Sequence, residues 1–287
     1  MSFKMLLLAG AAVLAAAPAT AQTARDYARY DSYVAPRPQG QNPAGLRVFM
    51  LGGLKSHGPG AHDYPFWLDK WSKLLTAHGA VVDGGFSFPS AAQLARTDVM
   101  VIYRGDAGYM TPQQRADLQA YVKRGGGLVT LHDSLCGPDP ADMATLVRAG
   151  KKHGEVNYTW TATLDYNVVD KDNPIIAGMP MQLYDEAFYK LDFAPEVKPI
   201  LTVTMPDTPA ARKGGGVGQT IPQMWTYEHT APGGTAPARA FVWMQGHMID
   251  NIEDAKIQAV MLRGIAWAGK RPVGELADYA PPQGGQH

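Results

Sequence analysis

The strongest constraint on the fold is an alternation of short apolar runs with helix-patterned segments in the first half of the chain. The runs are LRVFML (46–51), AVV (80–82), DVMVIY (98–103) and LVTL (128–131). Apolar residues recur at helical spacing between Tyr64 and His78, and Thr111-Pro112 opens a second helical segment that runs to Arg124. Strands that alternate with helices of about 10 to 15 residues indicate parallel βαβ units. We therefore predict an α/β fold with a doubly wound, mainly parallel sheet.

The second half of the chain has a different pattern, with strand-like runs that follow one another closely. They span residues 163–169, 199–205, 223–228 and 239–244. Such spacing predicts an antiparallel extension of the sheet. A final helix is expected from Glu253 to Ala268, with one apolar face. The glycine-rich stretch Lys213–Gly218 lacks the Gly-Lys-Ser/Thr ending of a phosphate-binding loop, so we interpret it as a flexible loop.

The N-terminal residues have the pattern of an export signal. Lys4 precedes the apolar run Met5–Ala17, and Ala19-Thr20-Ala21 matches the small-x-small site of signal peptidase. The apolar run is too short to span a bilayer, so we expect cleavage after Ala21 and a periplasmic or secreted protein. Residues 22–44 are interpreted as an N-terminal arm or linker, 45–271 as the α/β domain and 272–287 as a C-terminal tail.

The charge composition argues against nucleic acid as a partner class. The chain has 26 basic and 26 acidic residues, and no cluster of Lys and Arg stands out, which argues against nucleic acid as a partner. We expect no membrane span in the mature chain and a small-molecule partner instead. A single cysteine, Cys136, cannot form an internal disulfide.

Polar residues able to do chemistry concentrate at the predicted ends of strands. They are His57, His62-Asp63, His132-Asp133, His153 with Glu155, Asp185-Glu186 with Tyr189, and His247. The carboxyl ends of parallel strands meet at one edge of a sheet, so these groups are expected to converge there. Each histidine taken alone is also compatible with a purely structural role.

His132 has the strongest local argument, because it follows the run GGGLVTL at an expected sharp step from strand to helix. An imidazole at that step suits a general base or a metal ligand. Cys136 lies four residues further on in a Gly-Pro loop, where nothing supports a thiol mechanism. Glu186 lies among apolar and aromatic residues, which suits an acid/base group, and His247 follows a strand that ends in Gly246.

Several segments together resemble the ThuA-like (trehalose utilisation) family. They are the first-strand loop with His62-Asp63, YVKRGGGLVTLHDS (121–134), LVRAG with KKHG (146–154), DKDNPIIAGMP followed by DEAFY (170–189), and MQGHMIDN with VMLRGIAWA (244–268). The resemblance covers roughly residues 46–270 and implies a flavodoxin-like fold similar to class I glutamine amidotransferases. Amidotransferases carry a catalytic cysteine at the position of His132. The resemblance therefore implies that this chain is not a cysteine amidotransferase.

The resemblance also implies a role in carbohydrate metabolism, on a disaccharide or a 3-keto-glycoside derivative. We expect His132, Glu186 and His247 to be catalytic, in a hydrolase or lyase reaction by acid/base, metal-assisted chemistry. A divalent metal, zinc or similar, would be bound by His132 and His247. The substrate-binding residues are expected to be His57, His62, Asp63, Asp133, His153 and Tyr189. The alternative is a non-catalytic periplasmic module that binds a sugar or a partner.

Aromatic residues near these segments could stack on sugar faces. They are Tyr64, Trp67, Tyr158, Trp160 and Tyr189. Trp67 and Trp160 occur at amphipathic spacing, so we assign both to the core. The substrate, the identity of the metal, the type of reaction and the oligomeric state stay open at this point.

Overall fold

The computed structural model describes residue 40 and residues 42–193 and 197–280. The predicted signal peptide and all but a few residues of the predicted N-terminal arm lie outside the described residues. The strands are β1 (Arg47–Gly52), β2 (Val81–Gly85), β3 (Val99–Tyr103), β4 (Gly127–Leu131), β5 (Cys136–Gly137), β6 (Ala149–Lys152), β7 (Tyr158–Val168), β8 (Gln182–Phe188), β9 (Asp192–Phe193), β10 (Lys198–Thr204), β11 (Thr220–His229) and β12 (Ala238–Trp243). The helices are α1 (Tyr64–Ala77), α2 (Ala91–Ala95), α3 (Pro112–Lys123), α4 (Ala141–Val147), α5 (Pro209–Gly214), α6 (Ile249–Glu253), α7 (Ala255–Ala268) and α8 (Gly274–Ala277).

A mixed sheet of nine strands forms the centre of the described structure. Its order is β2-β1-β3-β4-β12-β11-β10-β7-β8. The strands from β2 to β12 in this order pair in parallel, and those from β12 to β8 pair antiparallel. The predicted α/β class is confirmed. The edge strand β8 was not predicted as a strand, and it carries the DEAFY segment.

The continuous apolar runs of the sequence form strands that are covered on both faces. Val48 and Met50 of β1 belong to one apolar core, which also contains residues of α1 and α7. Phe49 and Leu51 belong to a second core, which contains residues of α3 and α4. Because successive side chains of a strand point to opposite faces, a strand buried on both faces must be apolar throughout.

The helix boundaries follow from local capping. Thr111 is the N-cap of α3, with Pro112 in the first turn, as the sequence predicted, and Gln114 completes a capping box with Thr111. The predicted final helix is confirmed as α7, which begins two residues later than predicted and ends at Ala268. Asp254 separates it from the short helix α6, because its backbone is extended and its side chain accepts the backbone N–H groups of Lys256 and Ile257.

Two segments expected to be loop or tail pack onto the domain. Gly216 follows α5, and a Cβ there would lie 2.7 Å from the Tyr189 ring, so this part of the glycine-rich stretch packs against the domain, whereas Gly215 and Gly218 are exposed. In the predicted tail, α8 buries Leu276, whose carbonyl lies 2.6 Å from His78 Nδ1. No helix in the described ranges is long and apolar enough to cross a membrane.

Candidate active site

Four side chains from separate parts of the chain meet beyond the carboxyl ends of the parallel strands. His62 comes from the loop after β1, His132 from the end of β4, His247 from the loop after β12, and Glu186 from β8. His62 Nε2 lies 2.8 Å from His132 Nε2. Glu186 Oε2 lies 3.9 Å from His132 Nε2 and 3.6 Å from His247 Nδ1. We call these four residues the histidine–glutamate cluster.

The backbone at this edge of the sheet is in a left-handed conformation at several positions. His132 has φ +52° and begins a single 3₁₀ turn immediately after β4, so the predicted sharp step is confirmed. His62 has φ +46°. Gly246 has φ +122°, and a Cβ there would lie 3.4 Å from the Tyr103 ring and 3.5 Å from His132 Cβ. Non-glycine residues seldom adopt positive φ, and such strain concentrates at functional sites.

Asp185 holds the loop of His247 against β8. Its fully buried carboxylate accepts hydrogen bonds from the backbone N–H groups of Glu186 (2.6 Å), Gly246 (3.2 Å) and His247 (3.0 Å). It also accepts one from Asn251 Nδ2 at 2.7 Å. Burial raises the pKa of Asp185 to about 6, although the hydrogen bonds it accepts work in the opposite direction. Asp185 is therefore a positioning residue, a role that the sequence analysis did not assign to it.

The histidine nitrogens that face away from the cluster have partners outside it. His132 Nδ1 lies 3.3 Å from the carbonyl oxygen of Met244, and His62 Nδ1 lies 3.0 Å from Ser56 Oγ. A carbonyl can only accept, so we assign the proton of His132 to Nδ1, which leaves a lone pair on Nε2. This arrangement aims Nε2 of His132 at the centre of the cluster.

Burial keeps two of the imidazoles neutral. It lowers the pKa of His132 well below its usual value, and that of His62 to about 2, with the neighbouring His247 adding to both effects. For His247, burial also lowers the pKa, but the Glu186 carboxylate outweighs it and the net pKa is raised. Neutral imidazole is the form that binds metal ions.

The cluster fits a divalent metal ion. The ligand atoms of His62, His132 and His247 lie within 4.8 Å of one another. His247 Nδ1 is buried and has no hydrogen-bond partner among the described residues. Three histidines with a carboxylate nearby form a donor set typical of zinc and similar metals, and hydrogen bonds to the outer nitrogens are typical of metal-ligating histidines. The predicted pair of His132 and His247 is joined by His62, which had been assigned to substrate.

His57 and Asp133 also lie close to the cluster. The His57 ring is centred 4.0 Å from the His62 ring and 5.4 Å from the His247 ring, at an exposed position. Asp133 Oδ1 lies 2.5 Å from Lys151 Nζ. Burial lowers the pKa of Lys151, but Asp133 more than offsets this and the pKa is raised.

Lys151 is a buried cation that the sequence analysis missed as a site residue. Its ammonium group lies 4.2 Å from the centre of the Phe188 ring, which in turn lies 5.0 Å from the His132 ring. The KKHG segment, which contains both Lys151 and His153, was the only sequence signal for this residue. A buried charge next to several ionisable groups is the feature that marks Lys151 as part of the site.

Some predicted site residues are not brought to the cluster. Asp63 caps α1, where its Oδ1 accepts the Phe66 N–H at 3.3 Å. Tyr189 is completely buried and its hydroxyl donates to the Ala210 carbonyl at 3.0 Å, so a substrate cannot reach it. His153 is exposed and pairs with Asp106 at 2.8 Å, with Cys136 Sγ 3.9 Å away, in a separate group. Trp160, assigned to the core, is 52% exposed.

Comparison with protein families decides the relationship. The family described as ThuA, trehalose utilisation, matches residues 73–268, a range that contains His132, Glu186 and His247. This chain belongs to the ThuA family. No curated protein sequence gives a significant match.

Solved structures share the fold. A ThuA-like protein from Parabacteroides merdae has a TM-score of 0.57 and 18% identity, with 78% of this chain and 90% of that chain covered. A ThuA-like protein from Bacteroides uniformis has a TM-score of 0.55 and 14% identity, with 81% of this chain and 95% of that chain covered. At such identities the likeness establishes the fold of the ThuA-family domain and leaves its chemistry to the residues of this chain.

Proposed function

We propose that this ThuA-family chain is an exported carbohydrate-processing enzyme that acts on a disaccharide or a 3-keto-glycoside derivative at a divalent metal centre. The observation that carries the proposal is the histidine–glutamate cluster, in which three imidazoles and one carboxylate converge. The family description supports carbohydrate as the substrate class. Export is supported by the N-terminal pattern, in which Lys4 and an apolar run precede Ala19-Thr20-Ala21. We expect cleavage after Ala21 and a periplasmic or secreted location.

The residues of the cluster have two roles, metal binding and proton transfer. His62, His132 and His247 would hold the metal, which would supply Lewis-acid stabilisation of negative charge on a substrate carbonyl oxygen. Glu186 lies beside them on β8, and its side chain is still partly accessible, with 10% exposure. A carboxylate so placed can accept a proton from substrate carbon and return it to substrate oxygen.

Elimination from a 3-keto glycoside fits this arrangement. The keto group acidifies the hydrogen on C2, and Glu186 takes that proton. The C1–C2 double bond forms as the bond from C1 to the glycosidic oxygen breaks, and Glu186 then gives the proton to the departing oxygen. Charge develops on the keto oxygen during this step, so stabilising it lowers the barrier.

Elemental analysis and a substrate assay on the purified mature chain test the proposal. We expect about one divalent metal ion per chain and turnover of 3-keto-trehalose that is lost on chelation and restored by the metal. A metal-free chain with no turnover would contradict the enzyme proposal. Binding of the saccharide without turnover would support the sugar-binding module instead.

Replacing Cys136 by serine is expected to leave turnover of 3-keto-trehalose within a few fold of the wild type. Burial raises the pKa of the Cys136 thiol far above its usual value, so no thiolate nucleophile forms at neutral pH. The measurement is kcat/KM for both proteins. A loss of about a thousandfold, with a covalent adduct on sulfur detected by mass spectrometry, would restore a thiol mechanism.

A further inference from the structure

One buried hydroxyl, that of Tyr64, lies beside the histidine–glutamate cluster. Tyr64 begins α1, and its ring is centred 5.3 Å from the His62 ring. Its Oη is buried and makes no hydrogen bond with any described residue. The other buried tyrosines each hydrogen-bond through the phenol, namely Tyr103, Tyr121, Tyr166 and Tyr189. A buried polar group without a partner costs free energy, and its presence calls for an explanation.

The Tyr64 hydroxyl and the Asp133 carboxylate meet beside Gly105. A Cβ on Gly105 would lie 3.2 Å from Tyr64 Oη and 3.7 Å from Asp133 Oδ2, so both groups lie against the side of Gly105 that carries no side chain. Gly105 and the Asp133 side chain are partly exposed, whereas Tyr64 Oη is buried, so a ligand would approach over Gly105. A larger residue at position 105 would crowd the phenol.

The second oxygen of the Asp133 carboxylate can accept a hydrogen bond at this place. Lys151 Nζ binds Oδ1 at 2.5 Å, and no described residue hydrogen-bonds to Oδ2. Tyr64 and Asp133 therefore present one phenol, which can donate, beside one carboxylate oxygen, which can accept.

We propose that Tyr64, Gly105, Asp133 and Lys151 form a hydroxyl subsite that binds adjacent hydroxyl groups of a saccharide ring. Tyr64 Oη donates to one ligand hydroxyl, and Asp133 Oδ2 accepts from the same hydroxyl or its neighbour. A sugar hydroxyl both donates and accepts, so it satisfies the two protein groups together. The subsite rests on the proposed function for its ligand class, and it adds the residues that select the ring.

A deoxy analogue distinguishes this subsite from general sugar affinity. A site built to hydrogen-bond a hydroxyl discriminates strongly against an analogue that lacks it, because the protein groups are left without partners. The probes are trehalose and its monodeoxy analogues, with binding measured by titration calorimetry. For the wild type, we expect at least one analogue to bind about tenfold more weakly than trehalose or worse.

The variant Tyr64→Phe removes only the hydroxyl. We expect it to bind trehalose about tenfold more weakly and to lose the discrimination against that analogue. Its melting temperature should be unchanged or higher, because the lost hydroxyl bonds to none of the residues that the structure describes. Tyr121→Phe is the matched control, since its buried hydroxyl lies 2.7 Å from the carbonyl of Gly127, at the opposite end of β4 from His132. That variant should melt at a lower temperature and keep the affinity for trehalose.

Each outcome separates the subsite from the proposed function. Wild-type affinity and discrimination in Tyr64→Phe would overturn the subsite, and turnover of 3-keto-trehalose in the wild type would then leave the enzyme proposal intact. Binding that depends on Tyr64 without any turnover would keep the subsite and remove the enzyme proposal. A wild type that binds neither trehalose nor its analogues would overturn the subsite, and metal content with turnover would judge the function separately.

Discussion

The variant His132→Ala is expected to lose the bound metal and to turn over 3-keto-trehalose at least about a hundredfold more slowly. His132 supplies the Nε2 atom at the centre of the cluster, 2.8 Å from that of His62, and its other nitrogen is oriented by Met244. Removing even an outer partner of a ligating histidine typically costs about 10- to 100-fold in affinity or activity, so removing a ligand should cost at least as much. The measurements are the metal content per chain and kcat/KM.

The control for His132→Ala is His229→Ala. His229 lies on β11 and stacks on Tyr227, with ring centroids 4.3 Å apart, and it contributes nothing to the histidine–glutamate cluster. This variant should keep its metal and its turnover.

A second readout does not depend on activity. A metal that binds only the folded chain raises the free energy of unfolding by about 2.7 kcal/mol at a hundred times its dissociation constant. Chelation should therefore lower the melting temperature of the wild type but not that of His132→Ala. Equal responses of the two proteins to the chelator, or full metal content in the variant, would exclude His132 as a ligand.

The positions of the histidines were predictable because they depend on local rules. His132 and His247 each follow a strand of the parallel part of the sheet, and the carboxyl ends of such strands meet at one edge. His62 follows β1 after a longer loop, so the sequence did not predict which residues it contacts. The sequence therefore indicates convergence, whereas the distances that separate a metal ligand from a substrate contact need the folded chain.

Trp160 shows why the aromatic assignments were less successful. A register shift between Tyr158 and Thr161 places an extra residue in β7 opposite β8, and Trp160 has φ +60°. A bulge of this kind breaks the alternation of side chains between the two faces of the sheet, so sequence spacing that predicts the buried face assigns the residue to the wrong face. The outcome is an exposed tryptophan next to the residue that pairs with Glu186.

Tyr189 and Lys151 depended on contacts between distant parts of the chain. Gly214 and Gly216 pack on the Tyr189 ring, which turns this aromatic residue into core. Lys151 lies on β6, where the side chains of Asp133 and Phe188 surround its ammonium group. Neither arrangement leaves a periodic signal, because each joins segments far apart in the sequence.

The variant Glu186→Gln is expected to lose about a thousandfold of its turnover while it keeps the metal. Glutamine preserves the shape of the side chain but cannot accept a proton, and general acid–base catalysis typically contributes about 10²- to 10⁴-fold. The three histidines still provide a complete donor set, since their ligand atoms lie within 4.8 Å of one another. The measurements are kcat/KM for 3-keto-trehalose and the metal content of the same preparation.

The control for Glu186→Gln is Glu228→Gln, in which an exposed acid that pairs with Arg239 on the neighbouring strand is changed in the same way. It should match the wild type in both measurements. If Glu186→Gln loses the metal together with the turnover, Glu186 is a ligand rather than the base. If it keeps both, proton transfer belongs to another group. When it loses turnover alone, adding His132→Ala should lower the rate little further, because residues that act as one unit give non-additive losses.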